Sequence, residues 1–126
     1  MSAYVDGYVI PIPKNKVIAY KKMAKLGCKT WMKHGALSYF ECVADDMSAP
    51  YGISFPQLCK TKKNETVIFA FIVFKSKAHR KQVNAKVHKE FSQMPGSENF
   101  SMPFDASKMA FGGFKTLIHG EVIIPI

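Results

Sequence analysis

Hydrophobic residues gather in segments that have the character of β-strands. Residues 66–74, TVIFAFIVF, are apolar at every position after the first. A strand with one solvated face alternates between apolar and polar residues, so this segment predicts a strand that is covered on both faces. Residues 4–12 and 36–43 are rich in β-branched and aromatic residues and predict two further strands.

A fourth strand is predicted at residues 108–119, where Gly112-Gly113 indicates a bulge or a close backbone approach. Residues 120–126, GEVIIPI, are apolar and form a tail beyond the predicted domain of residues 1–119. Because such a segment is poorly suited to water, we expect it to join a sheet edge or a neighbouring subunit.

Two segments have the spacing of amphipathic helices. In residues 14–34, apolar side chains recur every three or four positions and lysines fill the opposite face. Gly35 follows this helix in the position of a C-cap. Ser76 is placed to cap a second helix at residues 77–92.

The connection between strands two and three, residues 44–65, has no sustained period. A short helix can begin after Ser54, with Pro56 in its first turn. A connection of this length in a small domain is more often a functional or lid-like loop than a plain linker.

The predicted order of strands and helices is βαββαβ, which is that of a ferredoxin-like α+β domain. It gives a four-stranded antiparallel sheet with strands one and three in the middle. Two helices cover only one face of such a sheet, so the other face of residues 66–74 needs a different cover. A second copy of the chain, packed sheet to sheet about a two-fold axis, is the simplest cover and predicts a homodimer.

The composition is that of one folded domain, with 126 residues of which 48% are hydrophobic. The first residues lack the pattern of a signal peptide, and the longest apolar run is far shorter than the ~20 residues that span a bilayer. We therefore expect a cytoplasmic protein with no membrane association. The cysteines have no C-x-x-C spacing, and neither a disulfide framework nor a zinc site is expected from Cys28, Cys42 and Cys59.

The formal net charge of +9 raises nucleic acid as a partner. Seventeen of the eighteen basic residues are lysines, and Arg80 is the only arginine. Arginine is the better residue for bidentate recognition of phosphates and bases. The composition therefore favours a lysine-rich solvated surface, and an RNA-associated protein remains the alternative.

Polar side chains within the apolar strands are candidates for chemistry. Asp6 and Tyr8 share one face of strand one, and Tyr39 and Glu41 share one face of strand two. If both pairs line the open face of the sheet, they look into a barrel formed by two sheets. A carboxylate among aromatic rings could then be a general base with a raised pKa. The favoured alternative is that both carboxylates are solvated or paired with lysines near strand ends.

Arg80 and Asn84 are four residues apart and share a face of the second helix. They could direct a cation and an amide at a carboxylate ligand. The favoured alternative is a structural tie from this helix to the loop at Asp105 or to the acidic pair at residues 45–46.

The histidines have no spacing typical of a metal site, so we expect no metal and no cofactor. His79, in the first turn after Ser76, is interpreted as a hydrogen-bonded structural residue. There is no nucleophile elbow and no phosphate-binding glycine loop. An apolar mouth for a flat or aliphatic ligand could be formed by Phe55-Pro56, Met102-Pro103-Phe104 and Met109.

Several stretches together resemble the family known as domain of unknown function 1428, the YbaA-like proteins. They are YVDGYVIPIP at 4–13, HGALSYFECVADD at 34–46, SFPQ at 54–57, ETVIFAFIVF at 65–74, KAHRKQVNAKV at 77–87, MPFD at 102–105 and MAFGGFK at 109–115. The resemblance implies a dimeric α/β barrel. It implies no catalytic residue, because the family has no established activity.

These observations favour a homodimeric cytoplasmic protein that binds or transforms a small apolar or aromatic molecule between sheet and helices. Whether it is an enzyme stays open. The alternatives are the RNA-associated protein and a structural or interaction module with no ligand. The candidate pocket residues are Asp6, Tyr8, Tyr39, Glu41, Phe55, His79, Arg80, Asn84, Phe104 and Met109.

Overall fold

The computed structural model describes residues 3–122, which form four strands and three α-helices. The strands are β1 (Tyr4–Pro13), β2 (Ser38–Val43), β3 (Glu65–Phe74) and β4 (Ala110–Lys115). The helices are α1 (Val17–Lys33), α2 (Phe55–Cys59) and α3 (Lys77–Ser92). No helix among these residues is long and apolar enough to cross a membrane.

The four strands form one antiparallel sheet in the order β2-β3-β1-β4. The two central strands are β1 and β3, as the apolar pattern predicts. In the register of the sheet, Ala70 of β3 lies opposite Tyr8 of β1 on one side and opposite Glu41 of β2 on the other. The ferredoxin-like α+β fold is therefore confirmed.

Helix α1 places a stripe of buried residues against the sheet at Tyr20, Ala24, Gly27 and Thr30. Its first predicted turn, Lys14–Lys16, is a 3₁₀ turn. The helix ends at Lys33, and Gly35 follows it as predicted. Its φ of 113° would be strained for a residue with a side chain. The Ala36 amide then donates to the Trp31 carbonyl, which satisfies a carbonyl of the last turn.

The caps predicted for the other two helices are present. The Ser76 hydroxyl accepts from the His79 amide at the start of α3. At the start of α2, Ser54 and Gln57 form a reciprocal capping box, with Pro56 in the first turn. The long connection from β2 to β3 thus contains a short helix.

One face of the sheet is covered by α1 and α3. It carries the even-numbered residues of β1 and β3, because side chains alternate along a strand. Its apolar members are almost fully buried: Ile10, Ile12, Ile68, Ala70, Ile72 and Phe74. Val83 and Val87 of α3 pack on the part of the face around Ile72. We call this the covered face.

The opposite face, which we call the open face, is also apolar. It carries Val5, Val9, Phe40, Phe69, Phe71, Val73 and Phe114. Helix α2 covers one end of it, where the rings of Phe55 and Phe69 are 6.1 Å apart. Elsewhere large side chains stay exposed, with 51% of Phe40 and 62% of Phe114 accessible to solvent. The two apolar faces of β3 therefore differ. One face packs against α1 and α3, whereas α2 covers only one end of the other and no other residue among 3–122 covers the rest.

Strand β4 is shorter than predicted. A 3₁₀ turn at Ala106–Lys108 precedes it, and pairing with β1 ends at Lys115. The register runs through both glycines without a bulge. The close approach is at Gly113, where a Cβ atom would lie 2.6 Å from the Tyr4 hydroxyl. Within the predicted tail, residues 123–126 lie outside the described residues.

Candidate functional site

The most deeply buried polar side chain of the covered face is Asp6 in the middle of β1, which has no solvent exposure. Its Oδ1 lies 2.7 Å from Nε of Arg80 on α3. These two atoms form an ion pair without an aligned hydrogen bond. The Asn84 amide, one turn further along α3, donates to Asp6 Oδ2 at 3.4 Å. A buried carboxylate is thus neutralised by a single cation.

Asn84 also joins the two long helices. The Trp31 indole N–H of α1 donates to Asn84 Oδ1 at 2.9 Å. The Arg80 guanidinium lies 5.3 Å from the centre of the Tyr4 ring, within the range of a cation–π contact. The Asp6 carboxylate beside the guanidinium raises the pKa of Arg80 above its ordinary value. This network holds α1 and α3 on β1.

The structural tie predicted for Arg80 therefore exists, but its partner was predicted wrongly. Asp105 accepts from Ser107 in its own turn, and Asp46 accepts from Ser48. Asp6 is the partner because β1 is central and lies beneath α3. The expectation that Asp6 is solvated or paired with a lysine is also wrong.

A second polar group on the covered face surrounds Glu41 of β2. The Tyr20 hydroxyl of α1 lies 2.6 Å from Oε1 and 2.7 Å from Oε2 of Glu41. The Tyr39 hydroxyl is a weaker donor, 3.5 Å from Oε2. Burial raises the pKa of Glu41, and the two phenol bonds oppose that rise. Burial also raises the pKa of Tyr20 and of Tyr39, so both remain protonated donors.

Tyr8 lies between these two polar groups. It packs against both halves of the apolar core, and its ring centre is 4.8 Å from that of Phe111. Burial raises the pKa of Tyr8, and the nearby Asp6 raises it further. The six polar candidates Asp6, Tyr8, Tyr39, Glu41, Arg80 and Asn84 therefore share one side of the sheet.

That side is the covered face. The placement on the open face, looking into a two-sheet barrel, was wrong. Period two correctly grouped Asp6 with Tyr8 and Tyr39 with Glu41. It could not say which face the helices cover, since β3 is apolar on both.

Two residues of the predicted apolar mouth lie beside the polar groups of the covered face. Phe104 and Met109 pack on the core around Ile10 and Tyr20. The ring centres of Phe104 and Tyr20 are 5.8 Å apart. The other side of Phe104 lines a groove of about 510 Å³ between the end of β1, the start of α1 and residues 101–108. Phe104 thus separates this groove from the Tyr20–Glu41 pair.

Phe55 and His79 lie elsewhere. Phe55 packs on Phe69 of the open face. His79 Nδ1 accepts from the Lys75 amide at 3.0 Å, and its ring packs edge-on against Phe74. His79 is therefore a structural residue at the start of α3, as interpreted from the sequence. No group of His, Cys, Asp or Glu side chains within residues 3–122 has the arrangement of a metal site.

A second groove, of about 710 Å³, follows α3. It is lined by Lys77, Ala78, Arg80, Lys81, Asn84, Ala85 and His88. It is shallow and basic and its lining contains no Phe, Tyr or Trp; of the side chains that can stack on unpaired bases it has His88 and Arg80, and Arg80 is already paired with Asp6.

Comparison with known proteins places the chain in a family. The model of a family described as "Protein of unknown function (DUF1428)" matches residues 3–106. The chain belongs to this family. It is 36% identical over 117 residues to "Uncharacterized protein YbaA" of Escherichia coli K12, covering 91% of this chain and 97% of the relative. The YbaA protein of Shigella flexneri matches to the same extent.

A solved structure with the same fold covers 97% of this chain and 100% of its own, at 12% sequence identity and a TM-score of 0.54. It is described as a dimeric ferredoxin-like protein from an uncultured marine organism. At this identity the likeness concerns the fold alone. The family resemblance and the ferredoxin-like fold are thus both confirmed for this DUF1428 chain.

The sequence pattern did not reveal the roles of Tyr20 and Trp31, which belong to the recurring apolar positions of the helix predicted at residues 14–34. The helical spacing that places them on the core face says nothing of their polar atoms. The glycine at position 27 was a weak sign in the sequence of a close contact. In the structure a Cβ atom there would lie 2.8 Å from the Tyr39 hydroxyl. A glycine in a helix interior indicates a close neighbour, but not which one.

Proposed function

We propose that the protein is a homodimer that binds a small apolar or aromatic molecule between the sheet and α1, at Glu41. The observation that carries this proposal is the pairing of a half-buried carboxylate with Tyr20. The Tyr20 hydroxyl lies within hydrogen-bonding distance of both Glu41 oxygens, and Tyr20 itself belongs to an apolar core cluster.

Such a group is not needed for packing. Replacing buried polar pairs by apolar side chains of similar volume is often neutral or stabilising. Carboxylates whose pKa burial raises occur preferentially at functional sites. Glu41 would accept a hydrogen bond or a proton from a ligand hydroxyl or amine. Tyr20 and Tyr39 would then act as donors.

The residues around Tyr20 and Glu41 indicate the chemical class of the ligand. Ile10, Ala24 and Ile68 share a core cluster with Tyr20, and the Glu41 carboxylate is the charged group that the Tyr20 hydroxyl contacts. These walls suit a flat aromatic or aliphatic molecule with one polar end. An anionic end would be repelled by the Glu41 carboxylate, so a phenol or an alcohol fits better than a carboxylate.

Access would come from the groove beside Phe104. The segment between α3 and β4, which carries Phe104 and Met109, contains only two short 3₁₀ turns within residues 93–109. Such a connection is held by few main-chain bonds and is therefore easier to displace than a strand. A shift of Phe104 would join the groove to the Tyr20–Glu41 pair.

The homodimer is supported by the open face. Its phenylalanines form an apolar surface of the kind that monomeric proteins rarely expose. The neighbour of the same fold is itself described as dimeric. Sheet-to-sheet packing would bury Phe40, Phe71 and Phe114 and would leave Glu41 free, because Glu41 lies on the opposite face.

Calorimetric titration with 2-naphthol, a flat probe with one hydroxyl donor, tests the ligand site. We expect saturable binding to the wild type. Glu41→Gln keeps the shape but loses the charge-assisted bond, and should weaken binding about tenfold or more. Glu98→Gln, an exposed glutamate in the α3–β4 connection, is the matched control and should bind as the wild type does.

Native mass spectrometry of the freshly purified protein provides a second test, because a resident ligand adds a discrete mass to the dimer. Failure of the wild type to bind 2-naphthol, together with no added mass, would leave the interaction-module alternative as the better account. Equal affinity of Glu41→Gln and wild type would remove Glu41 from the site.

A further inference from the structure

The segment that follows β4 is unusually apolar for its exposure. We call residues 116–122 the exit segment. Leu117 is 94% exposed, Ile118 is 88% exposed and Val122 is 85% exposed. Single apolar residues on a surface are common, but three within six positions form a surface that water solvates poorly.

The position of the exit segment places it beside the open face. The Thr116 amide donates to the Ala3 carbonyl at 3.1 Å, so the chain is still held to β1 as it leaves the sheet. Phe114, two residues earlier, belongs to the open face and is 62% exposed. The exposed Phe114 of the open face is therefore followed three and four residues later by the exposed Leu117 and Ile118.

We infer that the exit segment packs onto a second copy of this chain, at the rim of that copy's open face. This inference rests on the proposed homodimer and identifies a part of its interface. A two-fold axis would bring each exit segment to the other copy, so every apolar contact would be made twice. Leu117 and Ile118 are then buried by the second copy, whereas none of residues 3–122 of their own chain buries them.

The charge of the exit segment fits this partner. It contains no lysine or arginine, and its two titratable residues, His119 and Glu121, lie 3.8 Å apart. A segment without basic residues gains nothing from an anionic membrane or from nucleic acid. The exit segment therefore adds no lysine or arginine to the contact between two chains that each carry a formal charge of +9.

Photo-crosslinking tests the contact directly. A p-benzoylphenylalanine at position 117 is introduced into both a ¹⁴N-labelled and a ¹⁵N-labelled preparation, which are mixed and irradiated. We expect crosslinked peptides that join ¹⁴N to ¹⁵N chains and that map to open-face strands. The same group at Ile18, which is 79% exposed on the outer side of α1, should give no crosslink between chains.

Sedimentation equilibrium gives an independent measurement. Replacing Leu117 and Ile118 by serine should raise the Kd of the dimer by at least about tenfold, because two apolar side chains lose their burial. Ile18→Ser, which changes an exposed residue of similar size, should leave the Kd unchanged.

The outcomes separate the two proposals. A wild type that is monomeric overturns both the homodimer and the docking of the exit segment. A dimer whose Kd is unchanged by the double serine variant, or crosslinks that form only within one chain, overturns the docking alone.

Discussion

The two faces of the sheet differ in a way that their hydrophobicity does not suggest. The covered face carries Asp6 and Glu41, yet Asp6 is fully buried and Glu41 is half-buried. The open face is apolar, yet Phe40 and Phe114 are largely exposed. Polar residues are buried where a specific partner reaches them, and apolar residues are exposed where the chain itself supplies no cover.

Each face therefore points to a different partner. On the covered face, Asp6 is matched by Arg80 and Glu41 by Tyr20, so the polar groups are satisfied within one chain. On the open face the stacked rings of Phe40 and Phe71, 4.8 Å apart, extend a surface that a second chain can bury. Single substitutions on each face test this difference, beginning with the one of largest expected effect.

Removal of Asp6 should be the most damaging change. Asp6→Ala leaves the Arg80 guanidinium beside the core without its counter-charge, which typically costs 3–5 kcal/mol when both groups are buried. Because water reaches part of Arg80, which is 22% exposed, we expect a loss of about 3 kcal/mol in the free energy of unfolding. Urea denaturation measures this loss.

The double variant Asp6→Ala, Arg80→Met supplies the control, since it removes both charges and should recover part of the lost stability. A loss below about 1 kcal/mol for Asp6→Ala would mean that solvent compensates Arg80 and that the ion pair is not a fold determinant.

A charge on the open face should affect assembly rather than folding. Phe40→Lys places an ammonium in the proposed sheet-to-sheet interface and should raise the Kd of the dimer at least about a hundredfold. The unfolding free energy of the monomer should change by less than about 1 kcal/mol, because Phe40 is already 51% exposed. Sedimentation velocity measures assembly, and Ile18→Lys on the outer side of α1 should leave it unchanged.

Loss of the Tyr20 hydroxyl tests the polar group under α1. Tyr20→Phe keeps the ring but leaves the Glu41 carboxylate without its shortest donor, and should lower the free energy of unfolding by about 2 kcal/mol at neutral pH. Tyr51→Phe, which removes the hydroxyl of a tyrosine that is 88% exposed, should have no measurable effect. Equal stabilities of the two variants would show that water replaces Tyr20.

The smallest effect concerns pH. Burial raises the pKa of Glu41 above its ordinary value of 4.5, so the folded protein holds the proton more tightly than the unfolded chain. This contribution to stability is complete below pH 4.5 and is lost as the pH rises through the raised pKa. Glu41→Gln should remove this dependence, which urea denaturation at a series of pH values measures.

Glu90 should show the opposite dependence of stability on pH, because its pKa is lowered. Hydrogen bonds from Lys33 and His34 lower its pKa, so its contribution is present above the ordinary value and is lost as the pH falls. Glu90→Gln should therefore lower the free energy of unfolding above pH 4.5 and bring it closer to the wild-type value as the pH falls.

Much of the fold could be predicted from local patterns. The strand character of β1, the continuous apolar run of β3, the helical segments α1 and α3, and the caps at Ser54, Ser76 and Gly35 are all present in the structure. The limits of β4 were predicted less well. Its pairing covers only residues 4–9 of β1 and ends at Lys115, opposite the first residue of β1.

The candidate site was predicted only in part. Six of the ten candidate residues do lie together on one side of the sheet, and Phe104 and Met109 lie close to them. Phe55 lies on the open face, because α2 folds onto that face. His79 packs on Phe74 at the start of α3, where its Nδ1 accepts from the Lys75 amide. Tyr20 escaped prediction because its hydroxyl meets a residue 21 positions away.

The sequence by itself determined which residues form strands and helices, their order, and which side chains share a face. These properties follow from local periodicity and from capping, which depend on near neighbours in the chain. Only the tertiary structure decided that the helices cover the face of Asp6 and Glu41, and that Arg80 and Tyr20 reach them. Those pairings depend on how two helices pack across a sheet that is apolar on both sides, and neither face of β3 alone could specify that choice.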